Sequence, residues 1–96
     1  MRRAAKVDAN QPEVTKKLRE YGATVQPLHT VGKGCPDLLV GYRGTNYLME
    51  IKDGTRAPSD RKLTKDEEVW HTTWAGTVHT VESWEEALAV IGVRVV

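Results

Sequence analysis

The stretch Asp37-Leu38-Leu39-Val40-Gly41-Tyr42-Arg43-Gly44-Thr45-Asn46-Tyr47-Leu48-Met49-Glu50-Ile51-Lys52 decides the fold. Two apolar-rich runs, residues 37–42 and 46–52, flank Arg43-Gly44-Thr45, which is a β-hairpin signal. Side chains alternate along a strand, so Glu50 and Lys52 share one face about 7 Å apart. Tyr47, Met49 and Ile51 point the other way, as a core face would. The turn decides where Asp37 falls. A two-residue loop sets it opposite Lys52, and a four-residue loop sets it opposite Glu50. A plain three-residue connection sets it opposite Ile51 unless a Gly-associated bulge at Gly44 restores the phase. Either even-length turn gathers Asp37, Glu50 and Lys52 on one face.

Working outward, three segments carry helix-start signals. Asn10-Gln11-Pro12-Glu13 has capping-box spacing, with Pro12 tolerated in the first turn. Val14, Leu18 and Tyr21 follow on one face, and Gly22 is placed as a stop. Thr64-Lys65-Asp66-Glu67 repeats the box and opens a helix carrying Trp70 and Trp74, ending at Gly76. Ser83-Trp84-Glu85-Glu86 repeats it again, with Ala87, Leu88 and Ile91 as core face and Gly92 as stop. Residues 24–28, 77–81 and 93–96 read as further strands. Residues 29–35 and 53–62 read as loops from their Gly and Pro content. The predicted fold class is α/β in the order α-β-β-β-α-β-α-β, a small mixed sheet flanked by helices, forming a single domain over residues 1–96.

With 96 residues, a net charge of +1 and one cysteine, the chain has room for one modest core. A lone Cys35 forms no internal disulfide and fits a reducing compartment. No apolar stretch approaches a membrane span, and the basic start at Arg2, Arg3 and Lys6 lacks the apolar core of a signal peptide. The expected location is cytoplasmic, including that of a phage protein in its host cell. Positive charge is concentrated in residues 1–20 and 52–66, two mildly basic segments that can track a phosphate backbone or serve as ordinary solvated surface.

Two carboxylates and an ammonium on one face have a specific chemistry. Converging carboxylates repel by about 1 kcal/mol in water and several-fold more when desolvated, and a cation removes that penalty. Hard oxygen ligands that leave room for water and phosphate suit Mg²⁺ or Mn²⁺. Lys52 can orient an attacking water or stabilise the charge that develops on phosphate. The residues therefore point to hydrolysis of a phosphodiester. A hairpin with exposed acids and a same-face Glu–Lys pair is the bland alternative. Glu13 and Glu67 each read first as capping-box residues, although Glu13 also borders the Val14–Leu18–Tyr21 face, from which it can look toward the sheet, and Glu67 shares that ambiguity. His29, His71 and His79 show no zinc spacing, and Gly32-Lys33-Gly34 lacks the full phosphate-loop pattern. That loop reads instead as a basic element beside Asp37. Trp70, Trp74 and Trp84 read as core or dimer packing before base stacking, and Cys35 as a small buried residue.

Pro36-Asp37 followed by Glu50-Ile51-Lys52, after an α-β opening, resembles the PD-(D/E)xK nuclease superfamily. Asp8-Ala9-Asn10-Gln11, Gly34-Cys35-Pro36-Asp37-Leu38-Leu39-Val40, Lys52-Asp53-Gly54 and Leu63-Thr64 narrow the resemblance to the compact VRR-NUC domain, over residues 8–91. The resemblance implies a restriction-endonuclease-like core and divalent-metal dependence. It also implies structure-selective cleavage of branched DNA such as a Holliday junction, and a homodimer. By the same resemblance Asp37, Glu50 and Lys52 are the catalytic residues, and Asp37, Glu50, the Ile51 backbone carbonyl and Glu13, the acid of the first helix, are the metal ligands. Lys33, Arg56, Arg61, Lys62 and Lys65 are the expected DNA contacts. The family often carries Gln early in the helix after Leu-Thr, where this chain has Glu67 and Glu68. A non-catalytic nucleic-acid-binding module with the same fold is the competing class, and an acid-lined structural metal site is a third.

Overall fold

The computed structural model describes residues 8–95, so Arg2, Arg3 and Lys6 of the basic start lie outside the described residues. The order is α1 (Gln11–Glu20), β1 (Thr24–Pro27), β2 (Leu38–Tyr42), β3 (Thr45–Ile51), a 3₁₀ turn (Pro58–Asp60), α2 (Lys65–Thr73), β4 (His79–Val81) and α3 (Trp84–Val90). The strands form one mixed sheet, β1-β2-β3-β4, antiparallel except for the parallel β3–β4 pair.

The hairpin closes through a two-residue turn, because Tyr42 pairs directly with Thr45. Arg43 and Gly44 have φ of 48° and 80°, and two successive positive values match the twist of the flanking strands. No Gly44 bulge is needed. The turn sits one residue earlier than a Gly44-Thr45 loop would, so this even-length turn directs Asp37 toward Glu50 and not Lys52. Continuing one step past the Leu38↔Met49 pair sets Asp37 across from Glu50.

One sheet face carries Leu38, Val40, Met49 and Ile51 into a core with Val14 and Leu18 of α1, Val81, and Ala87, Leu88 and Ile91. Tyr21 is partly exposed instead of joining that face, because it caps α1 while Gly22 and Ala23 donate back to Arg19 and Leu18. The C-terminal strand is a correction: residues 93–95 are not extended into the sheet. Gly92, with φ of 84°, ends α3, and the Val93 N–H donates to Leu88 O at 2.9 Å. This helix-terminating motif uses the donor that a strand would need.

The Asn10–Glu13 box is a second correction. Asn10 occupies the N-cap position but its side chain makes no cap bond. Its Nδ2 donates instead to Lys52 O at 3.1 Å and Glu82 O at 3.3 Å, tying α1 to the ends of β3 and β4. The Thr64–Glu67 box forms as expected. Ser83 caps α3 through the Glu86 N–H, while Glu86 turns its carboxylate to the Glu82 N–H.

Candidate active site

The face of the sheet opposite α1 and α3 carries Asp37 just before β2, and Glu50 and Lys52 around the end of β3. The three side chains line one cleft of about 360 Å³ with Asp8, Lys33, Cys35 and Glu67. A roomier groove along α1, about 710 Å³, shares no residue with it and contains no pair of neighbouring acids among the residues that line it. Glu50 is only 2% exposed, and Asp37 and Lys52 are each 8% exposed. Ionisable groups this deep require partners.

Their partners are specific. Asp37 Oδ2 accepts the Ile51 N–H at 2.7 Å. Lys52 Nζ lies 3.7 Å from Glu50 Oε2 and donates to Glu67 Oε1 at 2.8 Å. The same Glu67 oxygen accepts the Thr64 N–H at 2.8 Å. Glu67 is therefore both the cap of α2 and the ion-pair partner of the cleft lysine. Glu50 Oε1 is buried with no hydrogen-bond partner, which is costly for a carboxylate oxygen unless something else is bound.

The electrostatics follow from this packing. Burial first, then the Asp37 carboxyl beside it, with Glu67 beyond, push the Glu50 pKa up to about 10. Burial also raises Asp37, against the opposing pull of the Ile51 N–H. Burial works against the Lys52 ammonium, but the hydrogen bond and charge of Glu67, with Glu50 and Asp8 beyond, outweigh it and raise its pKa. Glu67 is lowered: burial opposes its ionisation, and the bonds from Lys52 and the Thr64 N–H more than compensate. The result is a proton-holding carboxyl pair beside a firmly charged lysine.

Two residues were assigned otherwise from sequence. Glu13 is exposed on α1 and does not line the cleft. Asp8 does line it, and burial raises its pKa. Asp8 belongs to the Asp8-Ala9-Asn10-Gln11 motif but precedes the helix, and the family resemblance assigns the first-helix acid to Glu13. Asn10, which ties α1 to this end of the sheet, was likewise read only as a cap.

The expected DNA contacts divide. Lys33 lines the cleft with φ of 55°, between two positive-φ glycines. Lys62 and Lys65 are exposed, and Arg56 is exposed near Asp60 at 3.8 Å. Arg61 is half-buried and donates to Glu82 at 3.0 Å, so it ties the 53–62 loop to the scaffold and is not free for phosphate. Cys35 is half-buried at the cleft wall, its thiol pKa raised by burial.

The donor set fits a hard divalent cation. Mg²⁺ is commonly held by one or two carboxylates with waters filling the rest, and Asp37 with the unpartnered Glu50 oxygen offers that. Among the described residues no group of three or more His, Cys, Asp or Glu side chains is placed to hold a metal ion, so the fit rests on the Asp37–Glu50 pair.

Fold and cleft together define a nuclease-type α/β domain. Compared with solved structures, the chain is similar to one titled "VRR_NUC domain", at a TM-score of 0.57 and 27% sequence identity, over 88% of this chain and 96% of that one. The VRR-NUC resemblance read from the sequence is borne out over nearly the whole chain. No protein-family model and no curated protein matches it. No helix among the described residues is long and apolar enough to cross a membrane.

Proposed function

We propose that this protein is a divalent-metal-dependent endonuclease that hydrolyses DNA phosphodiesters in the Asp37–Glu50–Lys52 cleft. The carrying observation is the buried carboxyl pair, with one Glu50 oxygen unpartnered, beside a lysine held by Glu67. Asp37 and Glu50, with the Ile51 carbonyl, would hold Mg²⁺ or Mn²⁺. When bound, such an ion makes water a better nucleophile and offsets charge on the phosphate. Lys52 stays protonated at neutral pH and supplies a fixed positive charge to the transition state, a role that does not require it to give up its proton. Glu67 fixes the lysine's position from the start of α2. Lys33 at the cleft, with Arg56, Lys62 and Lys65 beyond, supplies phosphate contacts.

The finer reading is a branched substrate of the four-way-junction kind, cut by a homodimer whose two sites are related by a two-fold axis. Its support is the family resemblance. A monomeric mass across micromolar concentrations overturns the dimer.

The test compares wild type with Asp37→Asn, Glu50→Gln and Lys52→Ala on branched, duplex and single-stranded DNA, in Mg²⁺, Mn²⁺ or chelator. Wild type should cut only with metal, and each variant should lose about a hundredfold or more. Equal cutting by the variants, or none by wild type in either metal, rejects the reading. DNA binding without cleavage would then mark a non-catalytic module.

A further inference from the structure

Among the described residues α2 is the one α-helix over the sheet face opposite the core, and none of its residues is buried. Between α2 and the sheet lies an apolar slot of about 460 Å³, with Leu39 and Leu48 as floor and Trp70 and Trp74 as wall. Cys35 lines both this slot and the acid cleft, so the two adjoin across that residue. The indoles of Trp70 and Trp74 stack at 4.5 Å and 17°. Trp74 sits just past the helix on extended backbone and is 48% exposed. A Cβ on Gly76 would come within 2.9 Å of its Nε1, so the turn wedges the indole in place. A large aromatic held open beside an apolar slot loses hydrophobic stabilisation it would gain by folding inward.

From this geometry we infer that the slot receives an unpaired nucleobase, so that the DNA cut in the adjoining cleft presents an unpaired nucleotide beside the scissile phosphate. This inference rests on the nuclease reading and gives it a flapped or gapped substrate in place of the fully paired four-way junction that the resemblance alone suggests. The slot is in the size range of small-ligand pockets, and its walls are apolar planes on which any base can stack. Asn46 at the rim offers both a donor and an acceptor to a base edge. A second copy of the chain is a poorer occupant. A stable interface needs about 800 Å² per partner, whereas Val69 and Trp74 are the only large apolar side chains of the α2 segment that stand exposed.

The experiment uses metal-free protein in chelator and a short single strand bearing 2-aminopurine. Wild type should quench the probe. Trp74→Ala should weaken binding about tenfold or more, with Trp74→Phe recovering most of it and Trp84→Phe, on α3, unchanged. Asn46→Trp, which plugs the slot from its exposed rim, should also abolish binding and guards against a folding artefact. With Mg²⁺, wild type should prefer flapped or gapped duplex over fully paired duplex, and Trp74→Ala should lose that preference. Unaltered probe affinity in both Trp74→Ala and Asn46→Trp overturns the assignment. So does a dimer that Trp74→Ala splits without changing that affinity, which would give the slot to a second copy. Trp74-dependent binding with no cleavage in any metal upholds the slot and rejects only the nuclease.

Discussion

Glu50 is held protonated by burial and by Asp37, and that state has a measurable sign. Its folded pKa of about 10 lies above the ordinary 4.5, so between those values the folded protein binds more protons than the unfolded chain. Its contribution to stability is fully present below pH 4.5 and is lost as pH rises through the window toward 10. Asp37 and Asp8 are raised and act in the same direction, while lowered Glu67 acts oppositely and only at acid pH. In chelator, the melting temperature should fall from pH 5.5 to 9, and Glu50→Gln should flatten that slope and melt higher than wild type at pH 9. Parallel slopes would remove Glu50 as the cause. Glu67 makes a second prediction through its shared oxygen. Glu67→Gln keeps both hydrogen bonds but not the charge, and should reduce cleavage by about tenfold or less. Glu67→Ala also removes the reciprocal half of the capping box, the bond from the Thr64 N–H, and should cost up to about 1 kcal/mol of stability together with a far larger loss in kcat. If both variants cleave alike, Glu67 is only a cap.

The β2–β3 turn sets the phase of the whole site, since a one-residue slip would send Glu50 and Lys52 to the core face. Arg43 adopts φ of 48° there, a region where Asn is far better tolerated. Arg43→Asn should therefore raise stability by a few tenths to about 1 kcal/mol in urea unfolding while leaving cleavage unchanged. Gly44→Val, at φ of 80°, should lower it. A stabilising Gly44→Val would mean the turn is of another kind. Much of this architecture can be read from local pattern: Gly44 and the alternation of Tyr47, Met49 and Ile51 give the hairpin, and Thr64 with Glu67 gives α2. The misreadings share one cause. Asn10 has ideal cap spacing, yet two carbonyls distant in sequence take its amide. Val93 has strand propensity, yet the end of α3 takes its N–H. Trp74 has core chemistry, yet α2 ends before it and leaves it half in solvent. Asp37, Glu50 and Lys52 belong to one hairpin, so their meeting could be worked out from turn geometry. Asp8 arrives from another part of the chain, and Glu67 serves as cap and lysine partner at once. No spacing rule contains that tertiary information.

The cleft opens where β2 begins and β3 ends, with the 29–35 loop on one side and the start of α2 on the other. The two flanks touch: a Cβ on Gly34 would collide with the Asp66 carbonyl, so only glycine lets the loop and helix approach this closely. The main core lies on the far face of the sheet and includes none of the cleft acids. Metal should therefore adjust stability without determining the fold. At ten times its Kd a ligand that binds only the folded state adds about 1.4 kcal/mol, or several degrees in a domain this small. The ion must also displace the proton that Glu50 holds, so its stabilising effect should grow as pH rises. Melting curves with and without Mg²⁺ should converge near pH 5.5 and separate by pH 8.5. Asp37→Asn should abolish the separation while leaving the metal-free protein folded. Collapse of the fold on chelation at every pH would instead identify a structural ion, and a separation independent of pH would place the cation somewhere other than on the Asp37–Glu50 pair.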